Sequence, residues 1–269
     1  MKPITFLSDY GYEDEFAGVC HAVIERIAPG ATVIDLTHGI PAQDVQRGAH
    51  ALGAALPFAA EGVHLAVIDP GVGTTRRPVA VSVLGTERIL VGPDNGLLSL
   101  ALERLGGANV AVDLTESSFR LEPVSATFHG RDVFAPVAAR LTLGATLADA
   151  GDPIDPESLA RLPERRTIVA DDHVAAHVAY LDRFGNAVLD LPDHRLPEGL
   201  FTPGETVEIE AGGEFHPAVF GRTFADADEG GTLVYRDSSG HLAVAVNRGS
   251  VADALRLGRD DQVLIRRPR

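Results

Sequence analysis

The chain has 269 residues, with 38 acidic against 23 basic side chains, a net charge of −15 and a hydrophobic fraction of 45%. That balance excludes nucleic-acid binding through a general attraction to phosphates, and the composition is that of a folded globular protein, not a disordered one. The single cysteine, Cys20, excludes an intrachain disulfide and a cysteine-based zinc site.

The first residues, MKPITFLSD, lack a secretory apolar stretch. No apolar run is long enough to span a bilayer. A cytoplasmic protein with no membrane partner is therefore expected. Apolar runs over 4–8, 32–36, 63–68, 79–84, 89–91 and 109–112 read as strands. Between them, 13–28, 43–56, 96–105 and 133–143 read as helices; the stripe Phe16, Val19, Cys20, Val23, Ile24, Ile27 recurs at helical spacing and makes Cys20 a core residue. This alternation predicts an α/β domain over 1–160 with a mostly parallel sheet. Several strands run into an aspartate: Asp9, Asp35, Asp69, Asp113 and, after a Gly-Pro, Asp94. Ligands of open α/β sheets bind beyond these strand ends, although aspartate also favours turns and helix caps for purely local reasons.

Residues 151–167 are rich in proline and charge and read as a linker. Beyond them, short apolar stretches at 173–180, 187–191, 206–211, 232–235, 241–247 and 262–266 are split by turn signals such as AGGE, DEGG and DSSG. That texture predicts a smaller, antiparallel, barrel-like β domain over 168–269.

Five constellations carry candidate chemistry. Asp9, in SDYG at the end of the first strand, is placed to cap a helix or to accept hydrogen bonds from a ribose diol. VIDPGVGTTRR, over 67–77, sets Asp69 and two arginines around a bare backbone loop, with Asp69 available for a fixed ion pair and a second arginine free to face solvent. The loop lacks the GK[ST] ending of a phosphate-binding P-loop. In TFHGRD, His129 precedes a glycine at a helix start, where it can act as a base or be capped by a neighbour. Asp182 and Asn186, in DRFGN, suit either a hairpin turn or an ammonium and carboxylate ligand. Tyr235, with the turn around Ser238, can present backbone groups to a flat base or be no more than an isolated turn. Asp35, His38, Asp69 and His129 are metal-ligating types, but no HExxH or EF-hand spacing joins them. No metal and no cofactor is expected.

Taken in order, SDYG, DLTHGI with DVQRGA, VIDPGVGTTRRP, GPDNGLL, TFHGRDVFAP, DRFGN and SSGHLAVAVNRGS closely resemble the S-adenosyl-L-methionine hydroxide adenosyltransferase family, which is related to the fluorinase and chlorinase enzymes. The resemblance runs from about Ile4 to Ile265. It implies an α/β domain followed by a β domain, a homotrimer with composite active sites, and hydrolysis of S-adenosyl-L-methionine to adenosine and L-methionine. It further implies that Asp69, Arg76 and His129 prepare the attacking water and that Asp9 holds the ribose. Asp182 and Asn186, with Tyr235 and Ser238, would contact the methionine part, and Phe184 or Phe224 would border the adenosine. Whether Asp69 or His129 is the base stays open. The halogenating relatives carry tyrosine where Asp69 and His129 stand, and the fluorinase has serine at the position of Gly130. A carboxylate beside the nucleophile repels a halide and suits water. The alternatives are a halogenase using the same displacement and a non-catalytic binder of adenosine or S-adenosyl-L-methionine.

Overall fold

Successive side chains of a strand point to opposite faces, and the computed structural model, which describes residues 1–268, follows that rule in its first strands. Ile4 and Phe6 pack into one apolar layer with Cys20, Ile24 and Phe134, while Leu7 packs into a second with Leu52, Ile68 and Leu97. The chain divides into two units, Met1–Leu162 and the residues from Pro163 onward.

The first unit runs β1 (Ile4–Ser8), α1 (Phe16–Ile27), β2 (Val33–Thr37), α2 (Val45–Ala55), β3 (Val63–Val67), β4 (Pro78–Val83), β5 (Ile89–Pro93), α3 (Ser99–Arg104), β6 (Ala108–Asp113), a single π-helical turn at Gly130–Phe134, α4 (Ala135–Thr142) and β7 (Asp152–Ile154). The sheet order is β2-β1-β3-β5-β4-β6-β7. Strands β2, β1, β3 and β5 are parallel, and β4, β6 and β7 join them antiparallel. The sheet is thus mixed, with its parallel half holding the strand ends that matter below. Part of the expected linker belongs here: β7 pairs with β6, and the turn at Pro156–Ser158 follows it within the same unit.

Strand β3 buries His64 completely, with Nδ1 2.9 Å from Thr5 Oγ1. Its Nε2 makes no hydrogen bond. Burial, with the charge of Arg88 adding, drops its pKa from 6.5 to about 4. The unfolded chain takes up a proton near pH 6.5 and the folded one resists until about pH 4, so stability falls as pH drops through that interval. The expected loss is about 3 kcal/mol, read as a lower denaturation midpoint at pH 4 than at pH 7, and a His64→Gln variant should show a shallower slope.

The second unit comprises β8 (Ile168–Val169), β9 (His173–Leu181), β10 (Ala187–Pro192), β11 (Thr206–Ala211), β12 (Glu214–Phe220), β13 (Thr232–Arg236), β14 (His241–Val246) and β15 (Gln262–Arg266). They pair in the order β10-β14-β13-β12-β11-β15-β9-β8, and a further β10–β9 pairing closes the ring into a barrel. Val174, Ala176, Val178, Val207, Ile209, Val263 and Ile265 alternate into its core. Strand β12 escapes a reading by apolar pattern because Pro217 interrupts it. Proline cannot donate to a ladder; β12 tolerates it because its pairing with β13 begins only at Val219.

Candidate active site

Parallel pairing of β1 with β3 sets Ser8 opposite Val67. Asp9 and Asp69, just beyond those strand ends, therefore leave the same edge of the sheet. After Asp69 the chain makes tight turns: the Val72 N–H donates to the Asp69 carbonyl at 3.1 Å and the Thr74 N–H to the Gly71 carbonyl at 3.1 Å. Gly73 has φ +74, and a Cβ there would stand 2.4 Å from the Ala126 carbonyl oxygen. Only glycine permits both that conformation and that approach, and the loop thereby lies against the segment leading to His129.

The turns return Arg76 onto Asp69. Arg76 Nε donates to Asp69 Oδ1 at 2.7 Å, and its Nη2 donates to Asp69 Oδ2 in a two-pronged ion pair. The guanidinium lies over the Phe134 ring, 5.3 Å from its centroid, a cation–π contact that fixes its plane. The Asp69 and Arg76 side chains are 7% and 9% exposed. Arg76 Nη2 also donates to His129 Nδ1 at 2.8 Å. A guanidinium has no acceptor, so this bond requires Nδ1 to be unprotonated and the neutral ring to carry its proton on Nε2. Burial, and then the Arg76 charge, hold the His129 pKa below its ordinary value.

His129 opens the π-helical turn, and Asp132 anchors that turn. Asp132 is 2% exposed. It accepts from Arg131 at 2.6 and 2.8 Å and from the Ser125 N–H at 2.8 Å. Burial opposes its charge, but these bonds keep its carboxyl below the ordinary range. Arg77, which one reading of the sequence left facing solvent, is partly exposed but also paired. It donates to Asp94 at 3.0 and 2.6 Å and to the Ser158 carbonyl at 2.8 Å, tying the loop to the end of the unit.

Asp9 accepts the Gln43 N–H on Oδ2 at 2.8 Å. Burial raises its pKa, the Gln43 bond opposes that, and the Asp69 charge adds a smaller upward push. Gln43 itself has φ +66, an unfavourable conformation for a non-glycine residue that clusters at functional sites. Tyr10 is the other residue that sequence reasoning passed over. Its ring sits 5.8 Å from those of Phe16 and Phe128, and a Cβ at Gly130 would lie 2.0 Å from its Oη. Burial pushes the Tyr10 phenol well above its ordinary range. Nothing in the sequence spacing signals this contact, since 120 positions separate the two residues.

The remaining candidates lie in the second unit. Asp182 Oδ1 accepts the Phe184 N–H at 2.8 Å and the Asn186 N–H at 3.0 Å, and Oδ2 accepts from Asn186 Nδ2 at 2.8 Å. The hairpin-turn reading therefore holds, with a buried Asn186. Tyr235 is close enough to feel the Asp182 charge: burial first, then Asp182 and Asp237, push its phenol up to about 12. Phe224 packs 5.2 Å from the Tyr235 ring, whereas Phe184 is largely exposed. Ser238 is exposed on the following turn, whose polar contacts run between Asp237 and Ser239.

Comparison with known proteins gives a consistent picture. Residues 4–151 match the model of the SAM hydroxide adenosyltransferase N-terminal domain, and residues 176–264 match that of the C-terminal domain. The chain is 47% identical over 262 residues, 97% of each chain, to the (R)-S-adenosyl-L-methionine hydrolase of Salinispora arenicola (strain CNS-205). It is 27% identical over 275 residues, 93% of this chain and 91% of the other, to a fluorinase of Nocardia brasiliensis. A crystal structure of an uncharacterised conserved protein from Thermotoga maritima superposes with a TM-score of 0.91 at 34% identity, covering 98% of this chain and 100% of that one.

Proposed function

The chain belongs to the SAM hydroxide adenosyltransferase family, and from that premise we propose that it is an enzyme hydrolysing S-adenosyl-L-methionine to adenosine and L-methionine. Water attacks the ribose C5′ carbon in line with the departing sulfur. The observation that carries this reading is the Asp69–Arg76–His129 trio, joined by hydrogen bonds, with the Asp69 and Arg76 side chains largely withdrawn from solvent.

The leaving group is a sulfonium and departs as a neutral thioether, so it needs no acid. The nucleophile needs orientation and somewhere to put a proton. His129 Nε2–H is a donor and holds the water oxygen. Asp69 accepts the proton: Arg76 occupies one lone pair on each oxygen, and a carboxylate offers about four. A carboxylate is basic enough, because water becomes strongly acidic as its oxygen bonds to carbon. Arg76 has two tasks. It fixes the His129 tautomer, and it offsets the carboxylate field that would otherwise favour the cationic ground state over a transition state in which the sulfonium charge is fading.

Asp9, set by Gln43, holds the ribose diol in this reading. Asp182, Asn186, Tyr235 and Ser238 receive the methionine ammonium and carboxylate, and no cofactor takes part. The finer assignments are a homotrimer whose active sites each draw on two subunits, which follows the family resemblance, and a cytoplasmic location, which follows the lack of a secretory apolar stretch in the first residues. Among the described residues no helix is long and apolar enough to cross a membrane.

The relative's name specifies an R centre beside the L α-carbon, and the pyramidal sulfonium is the centre available for that label. We extend the R preference to this chain. Incubation with each sulfonium epimer, followed by chromatography of the nucleosides, tests the reading. Adenosine should form clearly faster from the R epimer, and it should remain the product when chloride is added. No adenosine from either epimer, or 5′-chloro-5′-deoxyadenosine as the main product, would overturn it.

A further inference from the structure

A second cluster of polar side chains has no part in this chemistry. His38 follows β2, and its side chain is 0% exposed. Its Nδ1 lies 2.7 Å from Ser8 Oγ, and its Nε2 lies 3.1 Å from Asp35 Oδ1. The ring is not aimed well enough at that oxygen to bond to it, and the buried Nε2 makes no hydrogen bond. His21, on α1, brings its own Nε2 to 2.9 Å from the same Oδ1. The three ligand atoms all lie within 4.8 Å of one another.

Hydrogen bonding alone leaves this arrangement unresolved. If His38 donates Nδ1–H to Ser8, a bare nitrogen lone pair sits beside a carboxylate and repels it. If Ser8 donates to Nδ1 instead, the Nε2–H is buried without an acceptor, which costs about 1–3 kcal/mol. A cation among the three atoms satisfies each of them. Tetrahedral zinc holds imidazole nitrogen and carboxylate oxygen at about 2.0–2.2 Å, which separates neighbouring ligands by roughly 3.3 Å. The two separations from Asp35 Oδ1, 2.9 and 3.1 Å, need to open by only a few tenths of an ångström, and the two imidazole nitrogens, within 4.8 Å of each other, adjust by rotation of the partly exposed His21 side chain.

We propose that His21, Asp35 and His38 form a binding site for a divalent transition cation of the zinc class, with Ser8 Oγ orienting His38 from behind. Two imidazoles and one carboxylate favour zinc, cobalt or nickel over magnesium or calcium. A ligating histidine usually donates its second ring N–H to an oxygen acceptor, and Ser8 Oγ stands in that place, 2.7 Å from Nδ1. His21 and Asp35 are about one-third exposed, at 34% and 33%, so the fourth position opens to solvent. The site departs from the expectation of no metal because spacing hides it: fourteen positions separate His21 from Asp35, and no short motif spans that interval. Its ligands are distinct from the water-activating trio, so the proposal stands independently of the hydrolase assignment.

The test uses the full-length protein, stripped with chelator and titrated with Zn²⁺ alone. The wild type should retain one equivalent after desalting, gain several degrees in Tm with excess Zn²⁺, and give tetrahedral visible bands with Co²⁺. His21→Ala and Asp35→Asn lie at partly exposed positions, and alanine is a good helix former, so both should fold, as circular dichroism would verify. Each should lose the retained equivalent and the Tm gain. Failure of the folded wild type to bind, or equal retention by both variants, would overturn the proposal.

Discussion

Replacing Asp69 with asparagine is expected to lower kcat by roughly 10²–10⁴-fold, the usual contribution of a positioned proton acceptor, whereas replacing His129 with glutamine should lower it only about ten-fold, the worth of one imperfect hydrogen bond. The asymmetry follows from the Arg76 contact. Arg76 Nη2 donates to His129 Nδ1 at 2.8 Å, so the one lone pair of neutral imidazole is already engaged and Nε2 carries hydrogen. A glutamine amide nitrogen reaches the position of Nε2 and keeps a donor there; alanine at 129 keeps nothing and should be far slower than glutamine. Steady-state kinetics of the three variants decide the matter. If Asp69→Asn is mild while His129→Gln is as slow as His129→Ala, histidine is the base and the tautomer argument fails.

The pH profile follows from the same contact. Protonating Nδ1 would place its N–H against a guanidinium. The His129 pKa is held below 6.5 by burial and then by Arg76, so kcat should be level through neutrality. It should fall only as pH drops below the ordinary imidazole range, where His129 gains its proton and releases Arg76. A histidine base with an unshifted pKa would instead lose half its activity near pH 6.5. Asp69→Asn also disturbs an ion pair that is 7% and 9% exposed, and breaking such a pair costs about 3–5 kcal/mol. Its melting temperature therefore has to be measured alongside its kinetics.

How much of this could be read without coordinates depended on range. The loop after β3 draws notice locally, because an apolar run, the Asp69 carboxylate, glycines and two arginines fall within a few residues; the choice of Arg76 over Arg77 came only with the family resemblance, and Asp9, just beyond β1, read equally well as a helix cap. The passage from an α/β to a β-barrel architecture was legible in the change of apolar spacing, and β1 and β11 matched their apolar runs. Contacts between distant segments were not legible. The steric engagement of Tyr10 with Gly130, the Gln43 N–H on Asp9 and the tie from Arg77 to Ser158 each depend on packing that no local period encodes. The same holds for the His129 tautomer, which needs a 2.8 Å contact across 53 positions. Strand β12 was missed for a local reason: Pro217 breaks the apolar pattern, and only the late start of the β13 pairing makes it acceptable.

Introducing serine at Gly130, the residue type the fluorinase has there, is expected to cripple the enzyme without creating a halogenase. A Cβ at 130 would stand 2.0 Å from Tyr10 Oη and 3.0 Å from Cζ. Tyr10 cannot swing aside freely, since Phe16 and Phe128 pack around its ring. Overpacking of this kind costs about 1–3 kcal/mol, and it strikes at the first residue of the turn that presents His129. Removing the Tyr10 hydroxyl deletes the nearest obstacle and leaves approaches of 3.0 Å to Cζ and 3.3 Å to Cε2, which the ring relieves by shifting a few tenths of an ångström. Gly130→Ser should therefore cost clearly less in a Tyr10→Phe background than in the wild type, a coupling that a double-mutant cycle resolves. Neither the single nor the double variant should yield 5′-chloro-5′-deoxyadenosine with chloride, because the Asp69 carboxylate still repels the anion. Equal destabilisation by serine in both backgrounds would show that Tyr10 is not what holds position 130 to glycine, and halide incorporation by either variant would remove the charge argument for water as the nucleophile.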